Sequence, residues 1–277
     1  MGRSTTPTRS GHNPGGMQIP LYQIDAFADG PFTGNPAAVC PLDSWLPDAV
    51  MQAIAAENNL SETAFFVPEG EFYRLRWFTP TTEVDLCGHA TLASAYVVFR
   101  WLQPDRRSIT FQTVQAGPLT VARDGDLLAL DFPSRPAEPC AMSEKLVAGL
   151  GRRPAALLAA RDYLAIYDHA DDIAALTPDF AGLAALDRFA IIVTAPGTGG
   201  VDFVSRFFAP ARGVDEDPVT GSAHCTLIPY WAERLAKTRL NARQLSRRGG
   251  TLSCALNGDR VTIAGRALPY LEGTITV

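Results

Sequence analysis

The feature that most constrains the fold of this chain is an internal duplication. The string "RWFTP" at residues 76–80 recurs as "RFFAP" at residues 206–210, an offset of 130 positions. Downstream, "CGHATLASAYVVFRWL" aligns with "TGSAHCTLIPYWAERL", and the offset between Gly88 and Gly221 is 133, which implies a three-residue insertion. Each copy predicts a strand, a proline turn, an acidic loop, a glycine and a buried helix. The chain is therefore expected to fold as two similar halves.

The repeated glycine turns are predicted to bind a small acid. A glycine just before a helix lets the backbone bend tightly and leaves the first amide N–H groups free for a ligand. The helix dipole behind those donors favours an anion such as a carboxylate. Two such turns facing each other would bind an acid from both ends. In the simpler interpretation Asp217 is only an N-cap, Gly221 only a turn residue and Ser222 only a hydroxyl at a helix start, but the duplication favours a site.

Two further side chains have the chemistry of proton transfer. His89 lies on the first turn of an apolar helix, where we expect its imidazole to be neutral. Glu62 shares a strand face with Ala64 and Phe66, so apolar surroundings would raise the pKa of its carboxyl toward neutrality, as a general acid or base requires. By periodicity alone, an exposed Glu62 at a strand end is an equally good interpretation.

Composition narrows the range of partners. The formal net charge of the 277 residues is −5 and no cluster of Lys or Arg stands out, which argues against nucleic acid and favours a small-molecule ligand. No apolar run of about 18 residues is present to span a membrane. The five cysteines include no CxxC pair, which argues against a disulfide framework and favours a reducing, cytoplasmic compartment.

A zinc site is a rival interpretation for Cys87, His89, His224 and Cys225, because sulfur and imidazole are suitable ligands. His224 and Cys225 are adjacent on a predicted helix, however, and their side chains diverge by about 100°. The sequence also contains no GxGxxG or GxxxxGK[ST] loop. We therefore predict neither a metal nor a cofactor.

Two other chemistries use residues of the same turns. Ser222 and His224 are two positions apart on a helix and do not face each other, and no GxSxG elbow exists, so a hydrolase is not favoured. Cys87 could act as one thiolate base of a racemase. Its counterpart in the repeat is Thr220, so the second thiol of a two-base design is missing.

Four strings resemble the phenazine-biosynthesis PhzF-like family over the chain from Met17 onward: "DAFADGPFTGNPAAV", "NLSETAFF", "RWFTPTTEVDLCGHATLA" and "RFFAPARGVDEDPVTGSAH". The resemblance implies an α+β, diaminopimelate epimerase-like fold, in which two pseudo-twofold-related domains each wrap a curved sheet around a central helix. It also implies a cofactor-independent isomerase, for which the well-understood substrate is a trans-2,3-dihydro-3-hydroxyanthranilate, and a homodimer.

The family's site residues can be placed on this chain motif by motif. The resemblance assigns catalysis to Glu62 of "NLSET", His89 of "CGHAT" and Asp217 of "EDPVTGS". It assigns substrate binding to the two repeated turns, through Cys87, Gly88, Thr220, Gly221 and Ser222. Related epimerases carry a catalytic cysteine in each turn, and the "DPVTG" of the second turn departs from that pattern. The departure favours an isomerase over an amino acid epimerase.

The domain organisation follows from the same reasoning. Residues 1–16 are rich in Gly, Pro, Ser and Thr and predict a disordered tail. The repeat and the proline-rich stretch "PSRPAEPC" predict an N-terminal domain over 17–130 and a C-terminal domain over 131–266. The last strand, residues 267–277, could return to the N-terminal domain.

Overall fold

The computed structural model describes residues 16–277, which form one continuous mixed β-sheet of 17 strands. The predicted tail lies outside this range except for Gly16. The six α-helices of this part of the chain are α1 (Asp48–Asn58), α2 (Gly88–Val97, continued by a π-helical turn at Val98–Leu102), α3 (Glu144–Leu150), α4 (Ala170–Ala174), α5 (Phe180–Ala184) and α6 (Gly221–Leu235).

The strands divide into two series along the chain. The first series is β1 (Gln18–Ala26), β2 (Asn35–Pro41), β3 (Glu62–Glu69), β4 (Phe72–Phe78), β5 (Glu83–Val84), β6 (Ser108–Thr113), β7 (Pro118–Asp124) and β8 (Leu127–Pro133). The second series is β9 (Glu138–Pro139), β10 (Ala156–Ala159), β11 (Tyr163–Ile166), β12 (Ile191–Pro196), β13 (Phe203–Phe208), β14 (Arg239–Gln244), β15 (Gly250–Asn257) and β16 (Arg260–Gly265), followed by β17 (Ala267–Thr276).

The strand pairings repeat in the same order in the two halves. In the first half, β1–β2 is antiparallel, β2–β3 parallel, β3–β4 antiparallel, β4–β6 parallel, and β6–β7 and β7–β8 antiparallel. In the second half, the series from β10–β11 to β15–β16 has the same six directions. The duplication inferred from short strings therefore extends to the whole topology.

Among residues 16–277, one strand pairing joins the two series, the antiparallel pair of β8 with β16. Leu130 lies opposite Ile263 in this pairing, and these residues are 133 positions apart, the same offset as the two repeated glycines. Because equivalent residues face each other there, the pseudo-twofold axis passes through this pair. The hairpin glycines Gly125 and Gly258 also differ by 133 and share positive φ angles of 59° and 66°.

A repeated ion pair fixes the acidic loop of each half. Arg76 donates from Nε and Nη2 to the two carboxylate oxygens of Glu83, at 2.7 Å each. Arg206 makes the same paired contact to Glu216, at 2.7 and 3.0 Å. Such two-point pairs hold both groups in one orientation. Each acidic loop is thereby held against the strand that precedes it.

Each half wraps its sheet around one buried helix. Every residue of α2 is buried except Tyr96, and α2 and α6 contribute to the same large apolar cluster. Along β3, Ala64 and Phe66 belong to this inner cluster, whereas Phe65 and Val67 pack on the outer face with α1. This alternation places the side chain of Glu62, two residues before Ala64, on the inner face.

The C-terminal strand β17 pairs with β1 along its length, from Ala26 opposite Ala267 to Gln18 opposite Thr276. It therefore extends the sheet of the first half. The division into domains at 17–130 and 131–266 stays a prediction, because β8 and β16 form one uninterrupted sheet across it. Between residues 16 and 277, every helix is too short or too polar to cross a bilayer.

Candidate active site

The N-termini of α2 and α6 meet between the two halves, beside a cleft of about 660 Å³. A β-carbon built on either Gly88 or Gly221 would lie 3.7 Å from the α-carbon of the other. The two repeated turns therefore face each other in direct contact. The cleft is lined by Glu62, Thr79, residues 81–89 and Gln115 of the first half, and by Arg161, Phe189, Phe207, Ala209, residues 211–214, Asp217 and residues 220–222 of the second.

The reason for the repeated glycines differs from the one that the sequence suggested. Neither Gly88 nor Gly221 has a positive φ, so a tight left-handed bend does not require them. A β-carbon on either residue would meet the α-carbon of the other at 3.7 Å, an ordinary contact, and only a longer side chain would have to occupy the space between the two helix ends. The approach of α2 to α6 therefore limits the size of the side chain at both positions.

Glu62, the first residue of β3, points from the inner sheet face into this cleft. Its side chain is 16% exposed. Burial and, to a smaller extent, the negative charge of Asp217 raise the pKa of Glu62 to about 8, and a hydrogen bond with Cys87 opposes the shift. Periodicity left two interpretations of Glu62 open, an exposed strand end and a position on the inner face of the strand. The structure places the carboxyl on the largely buried inner face.

His89 lies beside Glu62 as a neutral imidazole. Burial lowers the pKa of His89 to about 3, so burial rather than the helix end alone keeps the ring uncharged. Its Nδ1 lies 3.4 Å from Cys87 Sγ, which carries a hydrogen. It also lies 3.2 Å from Asn35 Nδ2, which cannot accept a hydrogen bond and whose closer acceptors are Asp217 Oδ1 at 2.8 Å and the carbonyl of Val219 at 3.0 Å. This arrangement favours Nδ1 as the acceptor and places the ring proton on Nε2.

The other ring nitrogen of His89 faces the Glu62 carboxyl. Nε2 lies 3.2 Å from Glu62 Oε2, yet the geometry is misaligned and neither buried atom has a hydrogen-bond partner. Buried polar atoms without partners are costly, and they are common at sites that receive a ligand. The pair therefore presents a free donor and a free acceptor to the cleft.

Asp217 is held on the opposite side by residues of both halves. Asn35 Nδ2 donates to its Oδ1 at 2.8 Å, and the hydroxyl of Thr220 donates to its Oδ2. Burial raises the pKa of Asp217 to about 6, and the hydrogen bonds from Thr220 and Asn35 oppose this shift. Asp217 is thus fixed in orientation and titrates near neutrality.

Thr220 serves the local structure of the second turn. Its hydroxyl donates a hydrogen bond to Asp217 Oδ2, and its backbone N–H donates to Gln244 Oε1 at 2.9 Å. Gln244 is fully buried and also donates from Nε2 to the carbonyl of Asp217 at 2.7 Å. Among the predicted substrate contacts, Thr220 therefore has its polar groups already occupied by protein.

Ser222, on the first turn of α6, contacts an arginine that sequence reasoning did not single out. Arg161 Nη2 lies 3.4 Å from Ser222 Oγ. The same guanidinium makes a paired contact to Asp162, at 3.0 and 2.9 Å. Asn35, Gln244 and Arg161 are the site residues that the motifs missed, and the one local signal was an asparagine directly before a proline in "TGNP".

Cys87 is a buried thiol. Burial, together with the charge of Glu62, raises its pKa well above the usual range. The thiolate that a racemase needs is therefore disfavoured in this environment.

The four-residue zinc set is not assembled. His224 Nδ1 contacts the carbonyl of Thr220 at 2.8 Å. Within residues 16–277, the metal-ligand types that cluster are Glu62, Cys87 and His89, with ligand atoms within 4.8 Å of one another. Cys87 and Glu62 lie near different nitrogens of His89, an arrangement that does not suit a single tetrahedral ion.

Comparisons with known proteins match the chain over most of its length. The profile of the family described as "Phenazine biosynthesis-like protein" matches residues 24–273. A protein named as an uncharacterized isomerase from Pseudomonas aeruginosa is 54% identical over 259 residues, which cover 94% of this chain and 99% of that protein.

Solved structures agree with this assignment and confirm the predicted fold class. A phenazine biosynthesis protein of the PhzF family from Enterococcus faecalis superposes with a TM-score of 0.91 at 48% identity, covering 94% of this chain and all of that one. A hydroxyproline epimerase from Agrobacterium vitis, at 11% identity, a TM-score of 0.62 and 94% and 93% coverage, shares the fold alone. The chain therefore belongs to the phenazine biosynthesis-like (PhzF) family, and its similarity to a relative named an isomerase supports an isomerase of the PhzF type.

Proposed function

We propose that this protein is a cofactor-independent isomerase that moves a proton on a small cyclic amino acid or carboxylic acid of the trans-2,3-dihydro-3-hydroxyanthranilate type. The observation that carries the proposal is the Glu62 carboxyl, which stands in a shared cleft beside two opposed helix N-termini with its pKa raised to about 8. A carboxyl that titrates near neutrality can both accept and return a proton at physiological pH.

The proposed reaction is a proton shift within one molecule. The Glu62 carboxylate takes a proton from a ring carbon, so a C–H bond breaks, an O–H bond forms and the electron pair moves into the ring π-system. The carboxyl then returns the proton to another ring carbon as the double bond shifts. Atoms and electrons balance without an oxidant or a second substrate.

The neighbouring groups would orient the ring and stabilise its charge. His89 is neutral and its Nε2 faces Glu62, so it can donate to the oxygen or nitrogen that gains charge as the proton leaves. Asp217, fixed by Asn35 and Thr220, can accept from an amino group of the substrate. The N-termini of α2 and α6 favour a carboxylate.

The runner-up is an amino acid epimerase or racemase that uses Cys87. The raised thiol pKa of Cys87 and the threonine at the matching position of the second turn both count against it. A small-acid binding protein without physiologically important catalysis is a third candidate, with the same cleft and no proton transfer.

Deuterium incorporation separates these candidates. The protein is incubated in D₂O with dihydro-hydroxyanthranilate, and NMR follows each ring carbon. The proposed isomerase shifts the double bond and labels the ring carbon that receives the proton, a racemase exchanges the hydrogen on the carbon that bears the amino group and leaves the double bonds in place, and a binding protein does neither. Glu62→Gln should abolish the labelling, whereas Glu69→Gln, an exposed carboxyl at the far end of the same strand, should leave it intact. Labelling that persists in folded Glu62→Gln contradicts the role proposed for Glu62.

We further propose a cytoplasmic homodimer that takes part in a biosynthetic process and binds no nucleic acid, as the resemblance and the acidic composition suggest. Light scattering on the purified chain tests the dimer. A monomer at micromolar concentration contradicts it.

A further inference from the structure

The two walls of the cleft differ in charge. The first-half wall contains the carboxyls of Glu62, Glu83 and Asp85, and none of the residues in its lining is a lysine or arginine. Both cationic side chains of the lining, Arg161 and Arg212, belong to the second half, which contributes one carboxyl, that of Asp217. The anionic part of a bound molecule is therefore attracted to the second-half wall.

Arg161 is oriented before any ligand binds. Its Nε and Nη2 donate to the two oxygens of Asp162 at 3.0 and 2.9 Å, and Asp162 is 2% exposed. The guanidinium also lies 4.4 Å from the centre of the Phe189 ring. A two-point contact to a buried carboxylate and an aromatic face together hold the planar group in place.

One edge of this fixed guanidinium remains available. Nη2 reaches Ser222 Oγ at 3.4 Å, and Nη1 makes no hydrogen bond to any residue between 16 and 277. The side chain is 32% exposed and lines the cleft. A guanidinium edge, a serine hydroxyl and the N-terminus of α6 thus converge, which is a suitable arrangement for a carboxylate.

Arg212 adds positive charge that no carboxylate offsets in the described part of the chain. Its guanidinium lies 4.8 Å from the centre of the same Phe189 ring. Arg161 is neutralised by Asp162, whereas Arg212 forms no ion pair among residues 16–277. Arg212 can therefore attract an acid over several ångströms, and Arg161 can bind it in one geometry.

We propose that Arg161 is the carboxylate-binding residue of the cleft, that Arg212 assists it, and that this second-half contact presents a ring carbon of the acid to Glu62. The orientation rests on the proposed function, which makes Glu62 the proton carrier. The carboxylate contact itself does not depend on turnover. The inferred substrate class is thus a small ring acid bound by its carboxylate against the second half.

Calorimetric titration with a matched pair of probes, 3-hydroxyanthranilate and its neutral amide 3-hydroxyanthranilamide, tests the contact without requiring catalysis. The wild-type protein should bind the acid about 10-fold or more tightly than the amide, as expected for a charge-assisted hydrogen-bonded pair. Arg161→Gln combined with Asp162→Asn avoids leaving a lone buried carboxylate and should remove this preference. Circular dichroism confirms that the variant is folded.

Two single variants test the assisting role of Arg212 and the specificity of the effect. Arg212→Gln should weaken binding of the acid about 2- to 5-fold at low salt and much less at 0.5 M salt, because its charge is exposed and screened. Arg188→Gln is the matched control: Arg188 also lies over an aromatic ring, that of Tyr163, but is not part of the cleft lining. It should leave both affinities unchanged.

Two results of these titrations would contradict the role proposed for Arg161. A wild-type protein without preference for the acid, or a folded double variant that keeps the full preference, overturns the proposal. If the double variant unfolds, Arg161→Lys takes its place, since it keeps the charge beside Asp162 and loses the planar donor edge; unchanged preference in that variant also overturns the proposal. If the protein binds the acid more tightly than the amide but incorporates no deuterium into the substrate, the isomerase proposal is rejected and the carboxylate contact stands.

Discussion

The two repeated turns have the same backbone and different chemistry. The first contains Cys87 and His89 around its glycine, and the second contains Thr220 and Ser222 at the same positions. In the first turn His89 faces Glu62 with a ring nitrogen that has no hydrogen-bond partner, whereas Thr220 forms hydrogen bonds with Asp217 and Gln244. In the proposed function, the first half of this duplicated scaffold transfers the proton and the second half holds the substrate.

The carboxyl of Glu62 also distinguishes the two halves. Phe65 pairs with Arg76 in the first half as Val193 pairs with Arg206 in the second, so three residues back along each strand Glu62 corresponds to Ala190. The cleft is approximately twofold in shape, but the strand carboxyl of Glu62 has no counterpart at Ala190 in the second half. Pseudo-symmetry therefore predicts where a site lies, and the departures from it indicate which side would carry the reaction.

Removing the unmatched strand carboxyl is expected to have the largest effect on activity. Glu62→Gln should lower kcat about 10³-fold, because the proton carrier is lost while the shape of the side chain is retained. Calorimetry should show binding of 3-hydroxyanthranilate within about threefold of wild type, since Glu62 is not its anchor. Glu69→Gln is the control, and a folded Glu62→Gln protein with near wild-type kcat refutes the division of labour.

Neutralising the second-half carboxyl should have an intermediate effect. Asp217→Asn should lower kcat/KM about 10- to 100-fold, through loss of one charge-assisted contact to the substrate. It should also move the acidic limb of the pH–rate profile to lower pH, because Glu62 must be ionised to accept a proton and the Asp217 charge raises the pKa of Glu62 from its usual value. The profile of Asp215→Asn, an exposed carboxyl of the same loop, should match wild type. A limb that does not move in Asp217→Asn contradicts the coupling between the halves.

The buried Glu62 should also make folding stability depend on pH. Its folded pKa of about 8 lies above the usual value of 4.5, so the folded state binds the proton more tightly than the unfolded state and stability falls as pH rises between these values. Glu62→Gln should remove this loss, a difference of about 2 kcal/mol between pH 5.5 and pH 8 after allowing for partial exposure. Denaturant unfolding at both pH values measures it, and parallel pH dependence in wild type and variant would contradict it.

The smallest effect is expected at the thiol of the first turn. Cys87→Ala should keep kcat within about fivefold, because burial keeps the thiol protonated and its mirror position holds no second thiol. Steady-state kinetics on the folded variant decide the point. Complete loss of activity would restore the racemase interpretation and make the first turn, rather than Glu62, the source of the reacting base.

The sequence predicted the glycine turns and the reacting side chains of the site better than the residues that hold those side chains in place. The repeated strings predicted that the two glycine turns would be equivalent, and the family motifs named Glu62, His89 and Asp217, which the structure brings to one cleft. Asn35 was missed because its partner Asp217 lies 182 positions away, and a residue in a Gly- and Pro-rich loop is usually a turn former. Long-range contacts of this kind leave no local periodicity.

Arg161 and the glycines illustrate two other limits. Arg161 stands before a short strand and gives the pattern of a surface residue, and only the fold brings it to Ser222, 61 positions later. The glycines were correctly placed but explained by the wrong cause, since a sequence shows that no side chain is present and does not show what approaches. In both cases the missing information is the packing of one half against the other.

The protonation state of Glu62 in the free protein tests the central claim most directly. Carbon-13 NMR of protein labelled at the glutamate side-chain carboxyl, compared with Glu62→Gln, identifies the resonance of this one group and follows it with pH. We expect a midpoint near 8, because burial of the carboxyl and the charge of Asp217 both raise its pKa. A midpoint near the ordinary value of 4.5 would show a solvated carboxylate and would contradict the assignment of proton transfer to the first half.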